Sequence, residues 1–426
     1  MNAVTLTSSF PATVQPGIPK LGDTPDGWAR APLGRFLHEV RRPIRMVDDE
    51  EYKLVTVKRA RGGVVDRGSF LGRDVLVKSQ YLIEPGDFLI SKRQIVHGAC
   101  GLVPDELGGS VVSNEYAVLN GTNEIDLKFL NYLAHSIFFQ QTCFHSSIGV
   151  HVEKMIFKLD RWLNFEFDLP PLPEQRKIAD ILSTWDRAIE VSEALLSTAR
   201  TQKRALMQSL LTGKRRFPEF EGQEWKEVRL GDVCKLQTGP FGSQLKAEEY
   251  STHKDGVAVV MPKALINGSV DFSVCDFIEQ ERSNDLVKHR LLVGDLLFSR
   301  RGDVARTALV TEADGPCICG TGCLRARPSS FRLARFLSKL LQMEFCRSWL
   351  EENAVGQTML NLNTKIIGAL PIQVPCENEQ EKIVAVFDDV DAQIEEHRLS
   401  IEKLRTEKKA LMQQLLTGKR RVAINA

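Results

Sequence analysis

Apolar residues recur on a 4-3-4-3 spacing over two separate stretches of the chain. The first carries Ile178, Leu182, Trp185, Ile189, Leu196, Ala199, Leu206 and Leu210, with Ser192 and Lys203 as the polar members of the same register. The second carries Ile383, Phe387, Val390, Ile394, Ile401, Leu404, Leu411 and Leu415, with His397 and Lys408 at the equivalent polar places. This spacing is a heptad seam, and a seam sustained over several heptads predicts a coiled coil. Polar residues within a seam lower stability but restrict how the helices slide.

The two stretches are copies. Glu174 to Arg216 and Glu379 to Arg421 align without a gap at an offset of 205 (379 − 174). Both open on Glu-Gln, and both close on Ala-Leu-Met-Gln-x-Leu-Leu-Thr-Gly-Lys-Arg-Arg. Gly213 and Gly418 suit left-handed helix caps. A helix from Gln175 to Leu211 is roughly 55 Å long at ~1.5 Å per residue. If the intervening segment is compact with adjacent termini, the second helix starts near where the first ended. The pair is then antiparallel and spaces two heads.

The flanking segments share a plan and differ in most residues. Trp28 precedes Leu33-Gly34 as Trp225 precedes Leu230-Gly231. Each segment has a Gly-Asp followed by an apolar strand, Gly86 to Lys92 and Gly294 to Arg300. Amphipathic helices are expected over Asp126 to Phe139 and Ser330 to Trp349, with Asp and Ser as N-caps. Extended, Pro-bounded stretches close each segment, Leu169 to Gln175 and Leu370 to Pro375. Strands are expected at Tyr52 to Val57, Val75 to Lys78 and Tyr116 to Leu119. The fold class is α+β: two mixed α+β domains separated by two long antiparallel coiled-coil helices with pseudo-two-fold duplication. The expected boundaries are 1–26 for a flexible extension, 27–170 for head one, 171–216 for helical repeat one, 217–374 for head two, and 375–426 for helical repeat two and a short tail.

Composition narrows the function classes. The 426 residues carry a net charge of +1, so any nucleic-acid surface must be local. No apolar run is long enough to cross a membrane, and Met1 to Lys20 lacks a signal-peptide pattern. With nine scattered cysteines, this points to a cytoplasmic protein without a disulfide framework. Cys317, Cys319 and Cys323 lie close together but have no fourth ligand at finger-like spacing, and they read as buried apolar residues rather than a metal site. Asp168-Leu-Pro-Pro-Leu172 lacks the aromatic of an amino-methyltransferase clamp. No P-loop or G-x-G-x-x-G turn is present. No residue is assigned a catalytic role.

Basic residues cluster in both heads. Head one offers Arg59, Arg61, Lys78, Lys92 and Arg93. Head two offers Lys246, Lys263, Arg300, Arg301 and Arg306 beside Gly239, Gly242 and Ser243. Lys and Arg position a protein on phosphates, bidentate Arg reads guanine, and glycines let a loop approach the duplex. These thirteen positions are the candidate DNA contacts. The alternative for each is ordinary solvated surface. Off the seam, Ile181, Leu195, Leu211, Val386, Leu399 and Leu416 offer apolar area either to partners or to the adjacent head.

The chain resembles the specificity subunits of Type I restriction–modification systems. The resemblance rests on Pro171-Leu-Pro-Glu-Gln175 with Ile178, the Leu-Leu-Thr-Gly-Lys repeat ends, and the Gly-Asp strands ending in Ser-Lys or Ser-Arg. Gly239-Pro-Phe-Gly-Ser243, Gly101-Leu-Val-Pro104 and Ser113-Asn-Glu-Tyr116 add to it. The second Pro-rich stretch, Pro375-Cys-Glu-Asn-Glu379-Gln380, departs from the pattern by being longer. The resemblance implies a non-catalytic reader of double-stranded DNA. It implies two modification subunits carrying adenine methylation, restriction subunits that hydrolyse ATP, and S-adenosylmethionine, ATP and Mg2+ bound by those partners rather than by this chain. The competing readings are a dumbbell scaffold with protein-binding heads and a stand-alone enzyme with a concealed active site.

Overall fold

The computed structural model describes residues 17–251, 256–356 and 360–423. Residues 1–16 of the expected extension and 424–426 of the tail lie outside the described residues. The chain divides into two compact units: Met1–Ser192 with Ser400–Ala426, and Glu193–Leu399. Two 39-residue helices, Leu172–Leu210 and Glu377–Leu415, each contribute to both units. They are called here repeat helices one and two.

In the first unit, a four-stranded antiparallel sheet runs in the order Leu37–Glu39, Tyr116–Gly121, Phe88–Ser91, Cys100–Leu102. Phe88–Ser91 is buried throughout because its two faces serve two cores. Phe88 and Ile90 join the core beneath the repeat helix, while Leu89 joins the core under a second sheet. A strand buried on both faces reads as a continuous apolar run. That second sheet has five strands, Pro43–Arg45, Ser79–Leu82, Val111–Ser113, Glu51–Val57 and Val64–Leu71. Ala29–Pro32 pairs antiparallel with Glu166–Leu169, closing the head's beginning onto its end. Residues 22–26 are held as well: Arg30 donates to the Gly22 carbonyl and Thr24 to Asp168.

The second unit repeats the first sheet's order with Cys234–Thr238, Cys323–Pro328, Leu296–Ser299 and Thr307–Leu309. Leu296 and Phe298 face one core and Leu297 the other, as in head one. Lys226–Arg229 pairs with Pro371–Val374 to close this head. Its second sheet is different: three strands, Asp276–Ile278, Val257–Val260 and Cys317–Cys319.

Several local expectations are corrected. Val75 to Lys78 is irregular, and the strand begins only at Ser79. The helix expected over Asp126 to Phe139 breaks into Leu127–Leu133 and Ile137–His145, because Ser136 supplies a second N-cap, accepting from the Phe139 N–H. The helix expected over Ser330 to Trp349 likewise divides into Phe331–Leu340 and Glu344–Asn353. Asp126 and Ser330 cap as expected. Repeat helix one starts at Leu172, so the extended stretch before it ends at Leu169. Gly213 and Gly418 adopt φ of 68° and 67°, the left-handed caps.

Within each unit the start of one repeat helix lies against the end of the other. In the first unit, Ile178, Ala179 and Leu182 share a core with Leu415, Leu416 and partly buried Leu411. In the second, Ile383, Val384 and Phe387 share a core with Leu210, Leu211 and partly buried Leu206. The pairing is antiparallel. The other seam residues Trp185, Ile189, Leu196, Ile394 and Leu404 are half-buried, and Val390 and Ile401 are buried. The helix ends are therefore set into the head cores.

The repeat signatures explain themselves in these contacts. Glu174, fully buried, receives two bonds from Arg421, Nε to Oε1 at 2.8 Å and Nη2 to Oε2 at 2.7 Å. Glu379 receives the same pair from Arg216, with Nη2 to Oε2 at 2.7 Å. Each Glu-Gln opening thus clamps the last Arg closing the other copy. Gln175 caps locally, donating to the Pro170 and Glu124 carbonyls and accepting from the Asp126 N–H. The polar seam members Lys408 and Lys203 pair across with Asp186 and Asp391. Each acid also holds its head: Tyr132 donates to Asp186 at 2.7 Å, and Lys339 to Asp391 at 2.7 Å. Among the described residues, no helix is long and apolar enough to cross a membrane.

Candidate nucleic-acid interface

The Gly-Asp signature is structural. Asp87 and Asp295 are buried, accept the N–H groups of Glu84 and Leu292, and pair with Arg42 and Arg327 respectively. Gly86 and Gly294 precede them with φ of 82° and 92°, where a Cβ would be strained. The strand that follows each Asp leads directly into Lys92-Arg93 and Arg300-Arg301, which thus stand at equivalent places in the two heads.

The outcome differs between heads. Lys92 donates to the Asn114 carbonyl at 3.0 Å and lies 3.7 Å from Glu39. Arg93 makes a two-bond pair with Glu115. Among the described residues, neither Arg300 nor Arg301 is paired with a carboxylate. Arg300 instead donates Nε to Asn361 Oδ1 at 3.2 Å and lies over the Phe241 ring, 5.6 Å from its centroid.

Phe241 sits in the Gly239–Gly242 turn. Gly239 is required there, since an added Cβ would lie 2.2 Å from the Gly320 carbonyl oxygen. Gly242 faces open space, and Ser243 is exposed. Lys246 lies 3.6 Å from Glu248, Lys263 pairs with Asp276 at 2.9 Å, and Arg306 with Asp303 at 2.7 Å. In head one, Arg59 pairs with Glu153 at 2.9 Å, and Lys78 binds Asp48 at 3.0 Å and the Gly72 carbonyl at 2.6 Å. These pairs are solvent-exposed and weak, so a phosphate can displace them at little cost.

Arg61 behaves differently. It and Ala60 form a left-handed turn, φ 59° and 55°, pinned by N–H bonds to the Gly98 and His97 carbonyls. Its Nε is buried without a hydrogen-bond partner. The residue as a whole is half-buried.

Sequence reasoning missed Phe241 and Asn361. An aromatic in a Gly-Pro-Ser turn has no apolar neighbours in sequence to bury it, and that signal was available for Phe241; Asn361 carried none. Head one also holds a groove of about 300 Å3 lined by Arg67, Phe70, Leu76, Val77 and Tyr116. Leu76 is 97% exposed because its segment is irregular rather than a strand.

The three clustered cysteines, Cys317, Cys319 and Cys323, are core residues. Cys317 and Cys319 face one core and Ile318 the other. Burial pushes both thiols up to about 12. Among the described residues no cluster suited to a metal ion forms. Of the off-seam residues, Leu211 and Leu416 are buried, Ile181 and Val386 pack against the head cores, and Leu195 and Leu399 are exposed.

Comparison with known proteins agrees with this architecture. The family model described as the Type I restriction modification DNA specificity domain matches twice, over residues 48–199 and 222–404. The specificity subunit of the Type I restriction enzyme MjaVIII from Methanocaldococcus jannaschii is 24% identical over 429 residues, covering 93% of this chain and 94% of that protein. Two solved structures share the fold. The HsdS subunit from Thermoanaerobacter tengcongensis has a TM-score of 0.53 at 20% identity, covering 94% of this chain and 99% of its own. The specificity subunit from M. genitalium has a TM-score of 0.57 at 14% identity, covering 96% and 99%. A duplicated helix frame carrying two unlike heads, together with a family match over most of its length, places this chain in the family of Type I restriction–modification specificity subunits, the non-catalytic subunits that confer DNA sequence specificity on complexes with other restriction–modification subunits.

Proposed function

We propose that each head reads one half of an asymmetric, bipartite duplex target, and that the repeat helices fix the unread gap between the halves. The observation that carries this reading is one sheet plan used twice with different surfaces. Equivalent strands lead into neutralised Lys92-Arg93 in one head and, in the other, into Arg300-Arg301, which have no carboxylate partner among the described residues. Unlike surfaces on a common frame suit unlike half-sites. Two modification subunits would carry S-adenosylmethionine-dependent adenine methylation, and restriction subunits the ATP- and Mg2+-dependent translocation and cleavage. This chain's part is positional, setting which adenine a partner extrudes from the stack.

The test is to insert about one helical turn, ~4 residues, into repeat helix one after Ser192 with a matching insertion in repeat helix two. Methylated positions are then mapped in the DNA of cells that also make the partner subunits. A changed gap with unchanged half-sites supports the reading. An unchanged gap removes the helices as the ruler. A chain that binds no duplex at any salt concentration would be a scaffold instead, because a DNA reader shows log affinity falling linearly with log salt.

A further inference from the structure

We infer that Arg300 is a base-reading arginine of head two, aimed at the paired acceptors on the major-groove edge of a guanine, with Phe241 and Asn361 as the residues that position it. The inference rests on the proposed half-site reading and gives it a residue.

Three constraints converge on this side chain. Its backbone is fixed on both sides: the Arg300 N–H donates to the Gly322 carbonyl at 2.7 Å, and its carbonyl accepts from the Leu362 N–H at 2.9 Å. Asn361 occupies Nε at 3.2 Å. Phe241 covers a guanidinium face with the cation 5.6 Å from its ring centroid. With Nε engaged and one face covered, the two terminal nitrogens are the donors left for a ligand. That end-on pair matches the O6 and N7 acceptors of guanine.

The arrangement suits base reading better than phosphate binding. A phosphate contact needs charge and tolerates a mobile side chain, which exposed Lys supplies. A base contact needs a fixed direction, because discrimination depends on both donors meeting both acceptors. Arg300 also has no carboxylate partner among the described residues, whereas its counterpart Lys92 lies beside Glu39. Phe241, 54% exposed, stands on a turn whose Gly239 cannot accept a Cβ, so the ring's position is set by backbone packing. More than half of the ring is left exposed by the fold, and its contact with Arg300 is what the turn supplies.

The experiment selects bound members from a random-sequence duplex pool, using the full chain with its modification subunits, and compares base preferences position by position. Arg300→Lys keeps the charge and removes the fork. It should lower discrimination at one guanine position of one half-site by about 10- to 100-fold. Phe241→Ala should lower the same position's discrimination, and Phe241→Tyr, which keeps a ring under the guanidinium, should restore it. A merely structural ring would not act on one base position alone. The half-site read by head one is the internal control for folding. Full discrimination in Arg300→Lys overturns the inference. So does an Arg300→Ala variant that weakens all duplexes uniformly and lowers the salt slope by about one, the behaviour of a phosphate contact. Failure of the unmodified complex to select any sequence would instead defeat the half-site reading beneath it.

Discussion

Replacing the arginines that close the two repeats should destabilise the two units unequally. Arg421→Ala strands the carboxylate of Glu174, which is fully buried and whose remaining contact is the Val422 N–H at 3.5 Å. Breaking a buried pair from one side costs about 3–5 kcal/mol when the surviving charge stays buried. Arg421 is itself 42% exposed, so its removal lets water reach Glu174, and screening lowers the expected cost to about 2–3 kcal/mol. Arg216 is only 17% exposed. It also binds the Gln223 and Phe220 carbonyls at 2.8 and 3.0 Å and lies over Trp225 at 5.6 Å. Arg216→Ala should therefore cost the full ~3–5 kcal/mol. Glu174→Gln leaves a neutral acceptor and an arginine that can rehydrate, for about 1–2 kcal/mol. The double variant Glu174→Gln with Arg421→Ala should be less damaged than Arg421→Ala alone, because no buried charge is left behind. Urea unfolding followed by circular dichroism and tryptophan fluorescence measures these differences. Trp225, whose N–H donates to Glu379 at 3.1 Å, reports directly on the second clamp. If Glu174→Gln proves as costly as Arg421→Ala, or the double variant is the worst of the three, the stranded-charge reasoning fails.

The junction acid Asp391 gives a pH test. Burial disfavours its charge, but the Lys203 and Lys339 ammonium groups outweigh that and hold its carboxyl below the usual range. Its stabilisation is thus present above the unfolded-state value of about 3.9 and lost as pH falls through the lower folded value. Asp391→Asn should flatten the acid-side fall in urea midpoint below about pH 4; a slope identical to that of the unmodified chain would refute the assignment. Eight of the nine cysteines are buried and Cys376 is exposed. A thiol reagent should therefore modify one cysteine quickly in native protein and all nine after denaturation, and several fast thiols would contradict the packing described.

The repeat helices were legible because their information is local and periodic: a seam, a Gly cap, and signatures at both ends. The reason for those signatures was not legible. Glu174 and Arg421 stand far apart in the chain, and nothing in either copy alone says that each opening acid grips the other copy's closing arginine. The shared four-stranded sheet could be read in outline from Gly-Asp followed by an apolar run. The second sheets could not, because a five-stranded and a three-stranded arrangement depend on long-range pairing that short strands do not encode. Splitting of the head-one helix was hidden in Ser136, a residue equally at home inside a helix or capping one, and the head-two split has no side-chain cap to announce it. Charge clusters marked where cations lie, but only geometry separates Arg93, held by Glu115, from Arg300, held by a ring and an amide.

The division of the chain has a consequence for synthesis. The second unit is one uninterrupted run, Glu193–Leu399, and every partner in its core has been synthesised once that run is complete. The first unit is not: Ile178 and Leu182 wait for Leu415 and Leu416, and Glu174 waits for Arg421. The part translated first is thus the last to be completed, with apolar surface uncovered in the interval, and a chain ending at residue 399 would carry one finished head and one whose core lacks Leu415 and Leu416.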